Sequence, residues 1–375
     1  MPGTGVIKII HCADLHLDSK MNTHLNTEKA RERKGEILRT FERMVEYAGR
    51  EEVSAVIIAG DLFDTDNVTL RTQNVVISQI KSHPNIKFYY LRGNHDANNF
   101  LKDIDEPLPN LYLFSENAWS SYTLDESGEI VISGIELSKE NAGFVYNTLS
   151  LNEEKFNILT LHGQEIASSS EKKAELVQLK ELKNRGIDYL ALGHIHGYKE
   201  EALDGRGVYC YPGCLEGRGY DELGEHGFVL LEIDEQRKTF TRKFIPFAYR
   251  NLYAVDVDIT GCETTPEIVE TIEKELAKQD ISSNSLVKFV LTGKVNATAE
   301  KDIDYIKTCF ENRFYFLRVS DESGLAINYE DYALDQSLKG EFVRTVQSQK
   351  ELTEDEKMEI IRYGLQVIAG EEIKL

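Results

Sequence analysis

Five short apolar runs in the first 200 residues stop abruptly at polar, chemistry-bearing residues. Ile7-Lys8-Ile9-Ile10 leads into His11-Cys12-Ala13-Asp14-Leu15-His16, and Val56-Ile57-Ile58-Ala59 into Gly60-Asp61-Leu62-Phe63-Asp64. Phe88-Tyr89-Tyr90-Leu91 leads into Arg92-Gly93-Asn94-His95-Asp96, Phe156 to Leu161 into His162-Gly163, and Tyr189 to Leu192 into Gly193-His194-Ile195-His196. Runs this short and rich in β-branched and aromatic residues predict buried strands. Between the first two, Thr27 to Glu52 carries Ile37, Leu38, Phe41, Val45 and Ala48 at helical spacing, and Thr69 to Ser82 repeats the pattern until Pro84 stops it. Strand and helix in alternation predict an α/β fold with βαβ connections.

Further along, Tyr122-Thr123-Leu124 and Ile130-Val131-Ile132 flank a Ser127-Gly128 turn and predict a strand pair. Lys172 to Lys183 predicts a helix. Val208 to Tyr211, Phe228 to Ile233 and Thr239 to Ile245 predict three antiparallel strands around a Gly-rich loop, Gly213 to Gly227. The Asp-, Asn- and Pro-rich stretch Ala97 to Phe114 predicts a loop at the rim of a site.

The pattern restarts near Phe247 to Asn251. Strands at Tyr253 to Ile259, Leu286 to Leu291 and Phe314 to Val319 surround helices beginning at Thr265-Pro266-Glu267 and Thr298. After these, Leu338, Phe342 and Val346, then Met358, Ile361, Leu365 and Ile368, mark two amphipathic helices, the second opened by a Thr353/Glu356 capping box. The expected organisation is therefore a main domain over 1–247, a small α/β domain over 250–328 and a helical tail over 333–375. The tail helices are short and leave open whether they dock on the small domain or on a partner.

With 375 residues, more than one core is expected. No apolar stretch reaches membrane-span length and the chain does not start with a signal pattern, so a cytoplasmic protein is expected. Five cysteines, an odd number without CxxC spacing, argue against a disulfide framework and a thiolate zinc site. A net charge of −21 argues against unaided binding to a polyanion, which would need divalent cations, local Arg or Lys clusters or a basic partner.

The residues at the five strand ends change the picture most. Asp14, His16, Asp61, Asn94, His162, His194 and His196 offer carboxylates, imidazoles and a carboxamide, a donor set suited to manganese, iron or zinc. Seven donors are too many for one tetrahedral ion and fit two ions, with Asp61, on a central strand, as the bridge. Two such metals can hold a hydroxide between them and clamp a phosphate for in-line attack. His95, beside Asn94, is free to protonate the leaving oxygen, with Asp64 orienting it. Arg92 and Arg218 lie in motif loops where they could meet substrate phosphate. His11, His24, His83 and His226 have no such context.

The order DxH, GDxxD, GNHD, lone His, GHxH resembles the calcineurin-like metallophosphoesterases. Within them, His11 to Leu17, Gly60 to Asp64 and the Tyr211 to Arg218 loop resemble the bacterial SbcD-type DNA repair nucleases over about residues 6–245. The resemblance implies a sandwich of two mixed sheets flanked by helices. It implies one metal on Asp14, His16, Asp61 and His196 and a second on Asp61, Asn94, His162 and His194, manganese before iron or zinc. It also gives His95 the role of proton donor. Asp64 matches the acid that pairs with that donor in many phosphatases, where part of the nuclease branch has histidine. The expected function is a DNA nuclease subunit acting with an SbcC-like coiled-coil ATPase gripped by the C-terminal helices, as a homodimer. A phosphodiesterase or phosphatase for small nucleotides or other phosphoesters, and an inert scaffold, are the rival readings.

Overall fold

The computed structural model describes residues 6–21, 25–64, 68–96, 108–166, 175–234, 239–296, 299–326, 332 and 334–369. His24, most of the loop expected at Ala97 to Phe114, and the first residues of the helix expected at Lys172 lie outside them. The chain divides into two units, Met1–Leu252 and Tyr253–Leu375.

In the first unit the elements run β1 (Val6–Cys12), α1 (Thr27–Arg50), β2 (Ala55–Ala59), α2 (Leu70–Ser82), β3 (Lys87–Leu91), β4 (Leu111–Leu113), β5 (Ser120–Thr123), β6 (Ile130–Gly134), β7 (Phe156–His162), β8 (Gln164–Ile166), β9 (Leu176–Gln178), α3 (Leu179–Leu182), β10 (Tyr189–Gly193), β11 (Lys199–Ala202), β12 (Val208–Tyr211), β13 (Gly227–Asp234) and β14 (Thr239–Pro246). One six-stranded sheet has the order β14, β13, β1, β2, β3, β4, and the other the order β11, β12, β10, β7, β6, β5. In the first sheet β1 to β4 run parallel and β13 lies antiparallel to both β1 and β14; in the second β6, β7, β10 and β12 run parallel and the edge pairs β11/β12 and β5/β6 antiparallel.

The two-residue period of the strands builds three layers of core. Along β2, Ala55 and Ile57 face inward with Ile9, Tyr89, Ile158 and Tyr189 between the sheets. Val56 and Ile58 face outward with Phe41 and Val45 of α1 and Val76 and Ile80 of α2. The outer face of the second sheet is covered by Val145, Tyr146, Leu179 and Leu182. Asn26 caps α1, its side chain accepting from the Lys29 N–H at 2.8 Å.

Two sequence expectations need correction here. The strand over Val208 to Tyr211 does not join the other two: β12 pairs parallel with β10 in the second sheet, while β13 and β14 close the first. The residues expected as a long helix up to Lys183 form β9 and then a single helical turn, α3. An apolar run does not carry the identity of its pairing partner, and that explains the first miss.

The second unit holds a three-stranded sheet of β15 (Leu252–Asp258), β16 (Leu286–Thr292) and β18 (Phe316–Asp321), with β16 and β18 parallel, and a two-stranded ribbon of β17 (Lys294–Asn296) and β19 (Gly324–Ala326). Helices α4 (Thr265–Leu276) and α5 (Ile303–Phe310) bury Ile268, Ile272, Ile306 and Phe310 against Val257, Phe289 and Leu317. α4 opens with a Thr264/Glu267 capping box and Pro266 in its first turn. Helices Leu338–Gln347 and Glu354–Ala369 share a small cluster of their own: Val343, Val346, Ile361 and Leu365. Leu338, expected in the stripe, is 69% exposed, and Val343 takes its place in the contact. The described cysteines are unpaired, and no described helix is long and apolar enough to cross a membrane.

Candidate metal centre

Strands β1, β2 and β3 of one sheet and β7 and β10 of the other deliver their carboxyl ends to one place. The two loops after β1 and β2 are zipped together. Asp14 N–H donates to the Gly60 carbonyl at 3.1 Å, His16 N–H to Asp61 at 2.9 Å, Leu17 N–H to Leu62 at 2.9 Å, and Asp64 N–H back to Leu17 at 3.1 Å. Within that zipper the backbone is forced into the left-handed region at Asp14 (φ 52°), His16 (φ 46°) and Asp61 (φ 52°), and His194 stands at φ 104°. Non-glycine residues held there cost about 1 to 3 kcal/mol each and persist only where surrounding structure over-determines them. The surroundings are tight. A Cβ on Gly60 (φ 95°) would collide with the His162 ring, and one on Gly193 with the Ala59 carbonyl.

All seven expected ligand residues converge in this cradle. Asp14, His16, Asp61 and His162 are buried. Asp61 Oδ2 lies 3.7 Å from His16 Nε2 and 3.4 Å from His162 Nε2. Two groups of candidate ligands, Asp14, His16 and His196, and Asp14, Asp61 and His162, meet at Asp14. The Asn94 Oδ1 is 3.0 Å from His162 Nε2 and 3.4 Å from His194 Nδ1. His16 Nε2 and His196 Nε2 face each other at 3.2 Å.

The imidazoles are turned for cation binding by what holds their other nitrogen. His162 Nδ1 bonds the Ala59 carbonyl at 2.9 Å, His196 Nδ1 the Glu222 carboxylate at 2.7 Å, and His16 Nδ1 lies 2.9 Å from Asp64 Oδ1. The Ala59 and Glu222 acceptors favour the proton on Nδ1 of His162 and His196 and leave the Nε2 lone pair aimed inward, the arrangement that orients histidine ligands, and the nearby Asp64 carboxylate turns His16 the same way. Two such lone pairs 3.2 Å apart repel unless a positive charge sits between them. The donor set therefore fits two bound cations.

Electrostatics point the same way. Burial raises the Asp14 carboxyl to about 6, against the opposing pull of His162 and His196. Burial would also raise Asp61, yet the hydrogen bond and charge of His162, with His16, hold it well below the usual carboxylate range. Burial would lower His162, but the Asp61 carboxylate, with Asp14 and the Ala59 carbonyl, raises it to about 9. Without metal, a proton on His162 does part of a cation's work.

At the rim the expected roles are less evenly met. His95 is half exposed, its N–H donating to Asp61 Oδ1 at 2.9 Å and its Nδ1 4.0 Å from Asp64 Oδ1. Asp64 stands closer to His16 Nδ1 and to Arg218 Nη1, each at 2.9 Å, so it steadies His16 more directly than His95. Arg92 is locked by Glu136 through Nε at 2.9 Å and 3.0 Å and Nη2 at 2.5 Å. Arg218 spans Asp64 and Glu222. Both expected phosphate-facing arginines are thus already paired with carboxylates. The cleft beside Asn94, about 210 Å³, is lined by Arg92, Glu116, Glu136, His162 and Glu175.

Sequence reasoning missed three carboxylates. Glu222 holds His196 and Arg218 together. Asp96 accepts from the N–H groups of Leu62, Phe63 and Gly93 at 3.3, 2.8 and 2.9 Å, tying the loop after β3 to the loop after β2. The third, buried Glu216, pairs with Arg33 at 3.1 Å and accepts from Thr40 at 2.7 Å, anchoring on α1 the loop that carries Arg218. Asp96 was within reach, being the last residue of the GNHD motif. Glu216 and Glu222 sit in a Gly-rich loop with no period to mark them.

A family model described as calcineurin-like phosphoesterase matches residues 7–198. The protein described as "uncharacterized metallophosphoesterase YhaO" of Bacillus subtilis is 27% identical over 303 residues, covering 76% of this chain and 72% of its own. A "DNA double-strand break repair protein Mre11" of Sulfurisphaera tokodaii is 26% identical over 310 residues, covering 76% and 74%. Among solved structures, a dimetal phosphatase from Danio rerio aligns over 60% of this chain and 92% of its own with a TM-score of 0.40 and 12% identity. More than half of the chain, and each of its five strand-end motifs, lies inside the matched model, so this protein belongs to the calcineurin-like phosphoesterase family.

Proposed function

We propose that the chain is a metal-dependent DNA nuclease subunit, hydrolysing phosphodiester bonds at the cradle between its two sheets. The observation that carries the hydrolytic part is the set of inward-facing Nε2 lone pairs around Asp61. In this reading Asp14, His16, Asp61 and His196 hold one divalent cation, and Asp61, Asn94, His162 and His194 the other, with manganese the expected metal. When bound, the pair supplies Lewis acidity, lowering the pKa of water and offsetting phosphate charge. The chain's own residues do the rest. Asp64, Glu222 and the Ala59 carbonyl fix the imidazole tautomers, and Arg218 holds Asp64 and Glu222 in register. His95, half exposed at the rim, is free to give a proton to the leaving oxygen.

DNA as substrate is supported by the relatives described as DNA double-strand break repair proteins, which align over most of both chains. The terminal helices, with Leu338 69% and Val367 57% exposed, are proposed as the grip for an SbcC-like coiled-coil ATPase, in a complex built on a homodimer. A second reading, a phosphodiesterase for small substrates, draws on the net charge of −21 and on Glu116, Glu136 and Glu175 beside the site.

The test is Mn²⁺-dependent cleavage of linear duplex and single-stranded DNA, set beside hydrolysis of bis-p-nitrophenyl phosphate. The nuclease reading expects all to be cleaved, and DNA ends faster when an SbcC-like ATPase is added. Cleavage of the small diester alone would hand the site to the second reading. No hydrolysis by protein loaded with manganese, iron or zinc would end both.

A further inference from the structure

Outside the cradle, the first unit has a larger cavity, about 770 Å³, walled by the first turns of α1 and by the start of α2. Arg31, Lys34, Gly35 and Arg39 line it from α1, Thr69, Arg71 and Thr72 from α2, and Asp18 from the loop after β1. In a chain with 64 acidic and 43 basic residues, cations gathered at one hollow need a reason.

Their pairing is informative. Lys34 is used structurally, 3.0 Å from Asp18, which also accepts from the Thr69 N–H at 2.6 Å. Of the other acids at the cavity, Glu32 lies 3.7 Å from Arg250 and Glu28 is exposed. Arg31, Arg39 and Arg71 are exposed and have no carboxylate partner among the described residues, and all three line this one cavity. Three guanidinium groups are left facing solvent in a concave wall.

Gly35 supplies an independent sign. It sits inside a 24-residue helix, four residues from both Arg31 and Arg39 and so on their face. Glycine is the poorest helix former after proline, and here no packing demands it. An added Cβ would meet only the Arg39 guanidinium, at 4.0 Å. The missing side chain makes room in the cavity rather than for a neighbour. The N-terminal turn of α2, a 13-residue helix, adds the positive end of its dipole to the same space.

We propose that this cavity binds a phosphate-bearing ligand through Arg31, Arg39 and Arg71. Guanidinium groups match phosphate oxygens bidentately, and the volume lies in the range that holds a nucleotide rather than a lone phosphate. The same chemistry would serve a free nucleotide or oligophosphate and the backbone phosphates of a nucleic-acid strand. The inference stands apart from the nuclease reading, because none of its residues belongs to the cradle.

The full chain is titrated calorimetrically with sodium tripolyphosphate, and in a second arm with a single-stranded oligonucleotide, at fixed ionic strength with EDTA to silence the metal centre. Expected is saturable binding that falls at least tenfold in Arg39→Ala/Arg71→Ala and is lost in Gly35→Glu. Gly35→Ala should raise the Tm, and the Mn²⁺-dependent hydrolysis of bis-p-nitrophenyl phosphate should stay at the level of the parent protein in all three. Oligonucleotide binding that falls by the same factor identifies the strand as the source, and binding of tripolyphosphate alone identifies a small ligand. Absence of binding in the parent protein, binding unchanged by the substitutions, or a parallel loss of diester hydrolysis in folded variants would each overturn the proposal.

Discussion

The cradle of the first unit and the small sheet of the second are built from similar strands, yet they carry opposite kinds of stress. Around β16, Val287, Phe289 and Leu291 pack on Ile272 and Phe310, and among the described residues of that unit the only buried ionisable side chain is Lys357. Every described non-glycine residue with a left-handed backbone lies in the first unit, and Asp14, His16, Asp61 and His194 of that set are in the cradle. Four buried ionisable groups share the same few ångströms. Burial of apolar surface stabilises both regions. Only one of them spends part of that stability on strained backbone and desolvated charge, and that is where chemistry is expected.

The comparison can be broken first at Asp61. Asp61→Ala should lower diester turnover by about three orders of magnitude or more and reduce bound metal, because in the proposed reading Asp61 would serve both cations. Metal analysis beside the rate decides it, and a variant that keeps two ions and near-parental turnover would remove Asp61 from the bridge. His95→Asn should separate chemistry from binding: metal content unchanged and turnover lower by about 10²- to 10⁴-fold, the usual reach of a general acid. Equal loss of metal would make His95 structural instead.

In the second unit the converse is expected. Phe289→Ala should cost about 3 to 5 kcal/mol in stability through the cavity it leaves, read by denaturant unfolding, while metal content at the cradle holds. The smallest effect is a pH slope. His162 is raised from 6.5 to about 9, so its contribution is complete below pH 6.5 and is lost as pH climbs through 9. Metal-stripped protein should therefore lose on the order of 3 kcal/mol over that window, and metal-loaded protein should not. Parallel Tm curves with and without Mn²⁺ would contradict the assignment.

Much of this was legible in the sequence because the informative features are local. A strand ending in Asp-x-His or Gly-Asp announces itself within six residues, and so does the capping box at Thr353, while the cap of α4 falls on Thr264, one residue before the Thr265 start read from the sequence. What escaped was non-local or weakly patterned. Glu216 and Glu222 act through partners far along the chain, and short edge strands such as β4 and the polar β11 offer no hydrophobic period to read. The partner of β12 is decided by the packing of a whole sheet, not by its four residues.

The left-handed backbone at Asp14 and Asp61 has a practical consequence for anyone making silent versions of this protein. Replacing either aspartate by alanine deletes a charge and also asks a β-carbon without polar atoms to sit where L-residues are disfavoured, so two defects arrive in one substitution. Asparagine tolerates that conformation, and comparing the two replacements at each position would separate the work of the oxygen from the work of the bend.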